Sequence, residues 1–127
     1  MLKFKEMQIS SGKFREKNDC VVKALAIASG KSYEEAHEIL KKHGRKNRRG
    51  TQRYTSLKAI REVNPSADFE RIKKPNGSQY TFRTISEAFP KGNYILYVRG
   101  HAAAMVDGVI EDWAAGTCKR ITHIVKL

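Results

Sequence analysis

The stretch Cys20-Val21-Val22-Lys23-Ala24-Leu25-Ala26-Ile27-Ala28 is small or apolar almost all round, and Gly30 follows it. A helix with no polar face has to be enclosed by other parts of the chain, so this segment reads as a buried helix around which the rest is built. Gly30 closes it, and Asn18 or Asp19 serves as its N-cap, since either short side chain accepts a free backbone N–H of the first turn.

The pattern on either side gives the surroundings. The opening residues up to Ser10-Ser11-Gly12 read as a strand or loop. Ser32 and Glu35 form a capping box, with Tyr33, Ala36, Ile39 and Leu40 on one face behind it. Lys41, Lys42 and His43 suit the negative end of that helix, and Gly44 stops it. A basic loop, Arg45 to Arg53, leads to a third helix over Ser56–Val63, ended by Asn64-Pro65. After Pro65 the periodicity changes. Ala67–Ile72 reads as a strand, Pro75-Asn76-Gly77-Ser78 as a turn, and Thr84–Phe89 as a short helix capped by Thr84. Asn93–Val98 is a strand, and His101–Val106 and Val109–Trp113 form a hairpin turning at Asp107-Gly108. Lys119–Leu127 alternates polar and apolar residues and makes the last strand. The expected fold class is α+β, with N-terminal helices packed on a C-terminal antiparallel sheet.

At 127 residues the chain is expected to be a single domain, 1–127, large enough to bury a core without staples. No apolar run approaches the ~18 residues of a membrane span, and the start lacks the apolar stretch of a secretory signal. The expectation is a cytoplasmic protein. Cys20 and Cys118 are the two cysteines, too few for a disulfide framework, and neither sits in a Cys-x-x-Cys pair. The four histidines are scattered, which argues against a structural zinc site. A formal charge of +12 favours acidic partners, nucleic acid foremost, and says nothing about chemistry.

The chemistry rests on three residues. Cys20 stands on the first turn of the buried helix, where free N–H groups and the positive dipole end favour the thiolate. Taken alone, a cysteine among Val, Ala and Leu is core filling, because free cysteine is among the most buried residue types. The hairpin changes the balance. With Asp107 and Gly108 as loop residues, Val106 faces Val109, Ala103 faces Asp112 and Ala102 faces Trp113. His101 then lies diagonally from Asp112 on the same face, ~7–8 Å apart at the backbone, within reach of an imidazole and a carboxylate. A four-residue loop keeps that register, whereas a three-residue loop sends Asp112 to the other face. A histidine with a carboxylate behind one nitrogen has a fixed tautomer and a second nitrogen free to take a proton. Beside a helix-terminal thiol it makes a thiolate–imidazolium pair.

This order resembles the papain-like cysteine peptidase superfamily. The matching pieces are Asn18-Asp19-Cys20-Val21-Val22-Lys23-Ala24, Gly100-His101-Ala102-Ala103-Ala104-Met105-Val106-Asp107-Gly108 and Glu111-Asp112-Trp113. Asp19-Cys20 followed by small residues, with His101 leading a strand into Asp-Gly, is similar to the bacteriocin-leader-processing branch. The compact size and Asn-Asp-Cys start also resemble small phage-encoded proteins, which would place the chain in the host cytoplasm. The resemblance implies a papain-like domain, Cys20 as nucleophile, His101 as base and Asp112 as its orienting residue. It implies no metal or organic cofactor. One departure stands out: the family's oxyanion-binding Gln before the Cys is missing from Lys13-Phe14-Arg15-Glu16-Lys17. Asn18 is either a stand-in amide donor, with the Cys20 backbone N–H as the second, or a plain helix cap.

Among the remaining candidates, His123 falls with Ile121, Val125 and Leu127 and reads as a core histidine, while Cys118 lies in a loop and is given no role. The basic stretch 41–53, with Arg45, Lys46, Arg48, Arg49 and Arg53, is either a contact surface for nucleic acid or an acidic protein, or a solvated loop. Two functions follow. One is a cysteine hydrolase of a peptide, isopeptide or related amide, or an acyltransferase if an amine replaces water. The other is a weak or inactive basic binding protein on the same scaffold, engaging nucleic acid or a host protein.

Overall fold

The computed structural model describes residues 2–127, apart from the side chain of Leu2. Five helices come first, α1 (Leu2–Lys13), α2 (Cys20–Ser29), α3 (Tyr33–Lys42), α4 (Arg53–Val63) and the short α5 (Ile85–Ala88). Four strands follow, β1 (Asn93–Val98), β2 (His101–Val106), β3 (Val109–Glu111) and β4 (Ile121–Lys126). They form one antiparallel sheet in the order β3-β2-β1-β4. The architecture is α+β, helices N-terminal and antiparallel sheet C-terminal.

α2 is the centre of the helical layer. Val21, Val22, Ala24, Leu25, Ala26, Ile27 and Ala28 are all buried. The helix lies across β2 and β1, with α1, α3 and α4 packed around it. Its alanines let the backbone approach the sheet, where Ala102 and Ala104 of β2 are also small and buried. Gly30 takes φ +72°, so its N–H and that of Lys31 can cap the carbonyls of Ile27 and Ala26. Asn93 Nδ2 donates to the Ala28 carbonyl at 2.8 Å and ties the end of α2 to the first strand. In α3 the capping box is present in both directions between Ser32 and Glu35.

A second apolar cluster covers the opposite face of the sheet. Leu96, Val98, Ala103 and Met105 meet Phe82 and Ile85 there, supplied by the irregular segment before β1. β1 is therefore buried on both faces, which accounts for its nearly unbroken apolar run.

Several sequence expectations change. The first residues form a helix, not a strand or loop. α1 buries Phe4 and Ser11 and packs Met7 against the core, while Ile9 and Phe14 are exposed. A helix whose buried stripe includes a serine and whose outer face carries an isoleucine has little periodic contrast, so docking on α2 holds it together. Ala67–Ile72 is not a strand: it makes one isolated bridge, Glu70 to Ile124. The third helix begins at Arg53, one turn before Ser56. Thr84 precedes α5 but makes no cap, because its Oγ1 accepts the Thr81 N–H instead.

The hairpin keeps its expected register. Val106 pairs with Val109, and Asp107 and Gly108 both have positive φ, as a tight two-residue turn demands. The ladder stops at Ala104–Glu111, so Asp112 lies just beyond the strand. At the other edge a register shift between Tyr97 and Val98 leaves Thr122 as the extra residue of β4. Ile121 consequently belongs to the second cluster, and His123 does not share its face.

Candidate active site

The segment that leads into α2 is tied down at three positions, Glu16, Asn18 and Asp19. The Glu16 side chain is buried, its carboxylate accepting from both terminal Arg45 nitrogens at 3.0 and 3.1 Å, the His37 ring at 2.6 Å and the Arg48 backbone N–H at 2.7 Å. Burial alone would raise its pKa, but these four donors bring it down to about 2. Asn18 has φ +54°, a conformation asparagine tolerates, and its Nδ2 donates to the Arg48 carbonyl at 3.3 Å. Asp19 occupies the N-cap position without making a side-chain cap. Its carboxylate instead accepts the hydroxyls of Ser11 and Tyr33 at 2.6 and 2.7 Å and pairs with Lys23 at 3.2 Å. The chain before Cys20 is thus fixed to α1, α3 and the loop after α3.

Cys20, half-buried, opens α2. Burial opposes the thiolate, but a hydrogen bond from His101, the N–H groups of Ala102 and Val21, and the charge of His101 outweigh it and lower the thiol pKa. His101 begins β2, and its Nε2 meets Asp112 Oδ2 at 2.8 Å, leaving Nδ1 as the nitrogen for Cys20. Desolvation would lower the imidazole pKa; Asp112 and Cys20 reverse that and raise it to about 9. Asp112 Oδ2 also accepts the Ala114 N–H at 3.0 Å, so the carboxylate is held by the turn that follows β3. The Trp113 ring, largely exposed, lies 5.1 Å from the His101 ring and tilted against it. The three residues chosen from sequence are therefore brought together, His101 meeting both the Cys20 sulfur and the Asp112 carboxylate.

Beside the sulfur is an open cleft of about 330 Å³, walled by Asn18, Thr51, Arg53, Tyr97, Val98 and His101. Tyr97 is buried and shares a 2.8 Å hydrogen bond with Ser56, which fixes the floor. Thr51 Oγ1 is buried without a partner among the described residues. The Cys20 N–H belongs to the first turn of α2 and has no intrahelical acceptor. With one N–H of Asn18 given to Arg48, the second N–H of the same amide is the one available beside the cleft.

The basic stretch divides. Arg45 is a correction, because its guanidinium is buried against Glu16 and presents nothing to a partner. Its burial anchors the loop to the Cys20 segment. Lys46, Arg48, Arg49 and Arg53 are exposed, and Arg53 turns its side chain over Phe69 at the cleft wall. His123 is buried as expected, with Nδ1 3.0 Å from Thr122 Oγ1, and Cys118 is an exposed free thiol. His43 caps α3 and meets Glu62 at 2.8 Å.

Sequence reasoning missed Glu16, Tyr97, Thr51 and Trp113. Glu16 carried a faint signal as the single acid between Glu6 and Asp19, in a basic run. Trp113 stands beside Asp112 and opposite Ala102 in the expected hairpin, whereas Tyr97 and Thr51 gave no signal, since their roles come from contacts across long stretches of chain. Among the described residues no three His, Cys, Asp or Glu side chains gather as metal ligands, and no helix is long and apolar enough to cross a membrane. Comparison with protein-family models, curated proteins and solved structures gives no match.

Proposed function

We propose that this chain is a papain-like cysteine hydrolase that cleaves a peptide, isopeptide or related amide. The observation that carries this reading is the continuous Cys20–His101–Asp112 chain at the edge of an open cleft. The lowered thiol pKa and raised imidazole pKa favour the pair as thiolate and imidazolium at neutral pH.

In this reaction the Cys20 sulfur attacks the acyl carbon, and the carbonyl π electrons move onto oxygen. The Cys20 N–H and the free Asn18 N–H donate to that oxygen. As the tetrahedral species collapses, the C–N bond breaks and His101 gives its proton to the departing amine. Neutral His101 then takes a proton from water, whose oxygen attacks the thioester; the C–S bond breaks and the acid leaves. Asp112 holds the ring throughout and stabilises its charged form. Asn18 stands in for the glutamine usual in this superfamily, its amide held by the Arg48 carbonyl. Loss of one oxyanion donor generally costs ~10²–10³ in rate, so Asn18→Ala is expected to fall by that order.

The test is a peptidyl acyloxymethyl ketone followed by intact mass and peptide mapping. One adduct on Cys20, none on Cys118, and no adduct in His101→Ala supports the hydrolase. An unlabelled Cys20 in folded protein would leave the basic binding protein, favoured by the exposed Arg48, Arg49 and Arg53, as the better reading.

A further inference from the structure

A second hollow, of about 300 Å³, adjoins the cleft through Arg53, which lines both. Its other walls include Arg71, Lys73, Thr122 and His123. The two spaces share a scaffold. Tyr97 and His123 are paired across β1 and β4, and Phe69 packs edge-on against both rings, at 5.4 and 5.8 Å. The Arg53 guanidinium lies 5.9 Å over the Phe69 ring, so it is held at the boundary. The bulge at Thr122 sits at this junction, and Thr122 Oγ1 donates to the Tyr97 carbonyl at 3.2 Å.

Three cationic side chains converge here without compensation. Among the described residues, Arg53, Arg71 and Lys73 form no ion pair, although Arg45, Arg61, Lys23 and Lys42 each have one. The charges of Arg53 and Arg71, after desolvation, lower the His123 pKa, so their field reaches the ring. Clustered cations with no internal anion suit an external one, and arginines grip carboxylates and phosphates through paired N–H donors.

We propose that this hollow receives an anionic side chain, carboxylate or phosphate, of the peptide whose scissile bond lies at Cys20. The inference rests on the hydrolase reading and adds a substrate class, acidic peptides. The shared Arg53 wall between the hollow and the cleft favours a peptide over nucleic acid, because a thiolate nucleophile needs an acyl carbon and a nucleic-acid backbone offers none.

The test uses peptidyl acyloxymethyl ketones carrying glutamate, phosphoserine, glutamine or lysine at each position leading from the electrophile. At one position an acidic probe is expected to label Cys20 about ten-fold faster than glutamine, a preference that shrinks with salt. Whether glutamate or phosphoserine gains more identifies the anion. In Arg71→Ala/Lys73→Ala the acidic-to-glutamine ratio is expected to fall toward one; a general loss of reactivity would lower both rates and leave the ratio. Equal rates at every position, or a lysine preference, overturn the proposal.

Binding is read separately by NMR, with a glutamate-rich peptide titrated into Cys20→Ala protein. A shifted His123 ring with unlabelled wild-type Cys20 would sink the hydrolase reading and keep the anion site. An unmoved His123 ring, or one moved by a single-stranded oligonucleotide and not by the peptide, overturns the acidic-peptide assignment whatever the labelling result.

Discussion

Replacing Asp112 by asparagine removes one charge and almost no volume, so it isolates what the carboxylate does to His101. In the native protein burial works against the imidazolium, yet Asp112 and Cys20 raise the pKa from 6.5 to about 9. At 1.36 kcal/mol per tenfold change in proton affinity, this is about 3 kcal/mol in favour of the charged ring. The Asp112 hydrogen bond is the largest favourable contribution, and the burial that opposes it survives the exchange. In Asp112→Asn the His101 midpoint is therefore expected at or below the free value of about 6.5. Cys20 then loses its cation, and its thiol pKa climbs toward the free-cysteine value of about 8.5. The two titrations are coupled, so both are to be followed in the same samples. Ring ¹H–¹⁵N correlations report the four histidines, with His101→Gln giving the assignment. The stability consequence has a definite sign. A raised histidine pKa contributes stability that is full below about 6.5 and is lost as pH climbs through about 9. The deficit of Asp112→Asn should accordingly be largest in neutral and mildly acid solution and should close above pH 9. A native His101 that titrates near 6.5, or a midpoint unmoved by the exchange, would refute the reasoning.

Glu16→Gln leaves the buried Arg45 guanidinium without its counter-charge, and an uncompensated buried charge costs about 3–5 kcal/mol. Urea unfolding should show that loss at pH 7. Glu16 has a lowered pKa, so its contribution is present above about 4.5 and lost as pH falls toward about 2, and the gap between native and variant should narrow over that range. Leu25→Ala opens a cavity at a fully buried position of α2 and is expected to cost about 2–5 kcal/mol in the same assay, a cost under 1 kcal/mol contradicting its enclosure.

The parts of this fold that could be read from sequence are those whose signals are local. The apolar composition of α2, the Ser32–Glu35 box and the Asp107-Gly108 turn each specify their own structure within a few residues. The hairpin register then brought His101 and Asp112 together, because a two-residue turn leaves no freedom in which residues face each other. What was illegible depends on partners far along the chain. α1 is held by α2 and by Ser11 meeting Asp19, not by its own periodicity. Arg45 looks like any other member of a basic loop until Glu16, 29 residues earlier, is folded against it. Strict alternation places His123 on the face of Ile121, and the bulge at Thr122 breaks it. The segment 67–72 has strand-like composition but makes a single bridge, Glu70 to Ile124, on the edge of β4 away from β1.

The chain supplies its own control for the central claim, since Cys118 is an exposed free thiol and Cys20 sits beside His101. The most direct measurement is iodoacetamide alkylation of both cysteines in one sample, followed by peptide mass spectrometry from pH 4 to 10. Cys20 is expected to react as a thiolate below the free-cysteine value of about 8.5 and to shift upward in His101→Ala. If Cys20 instead shows the pH dependence of a free cysteine, or ignores the loss of His101, then no thiolate–imidazolium pair exists and the hydrolase reading fails.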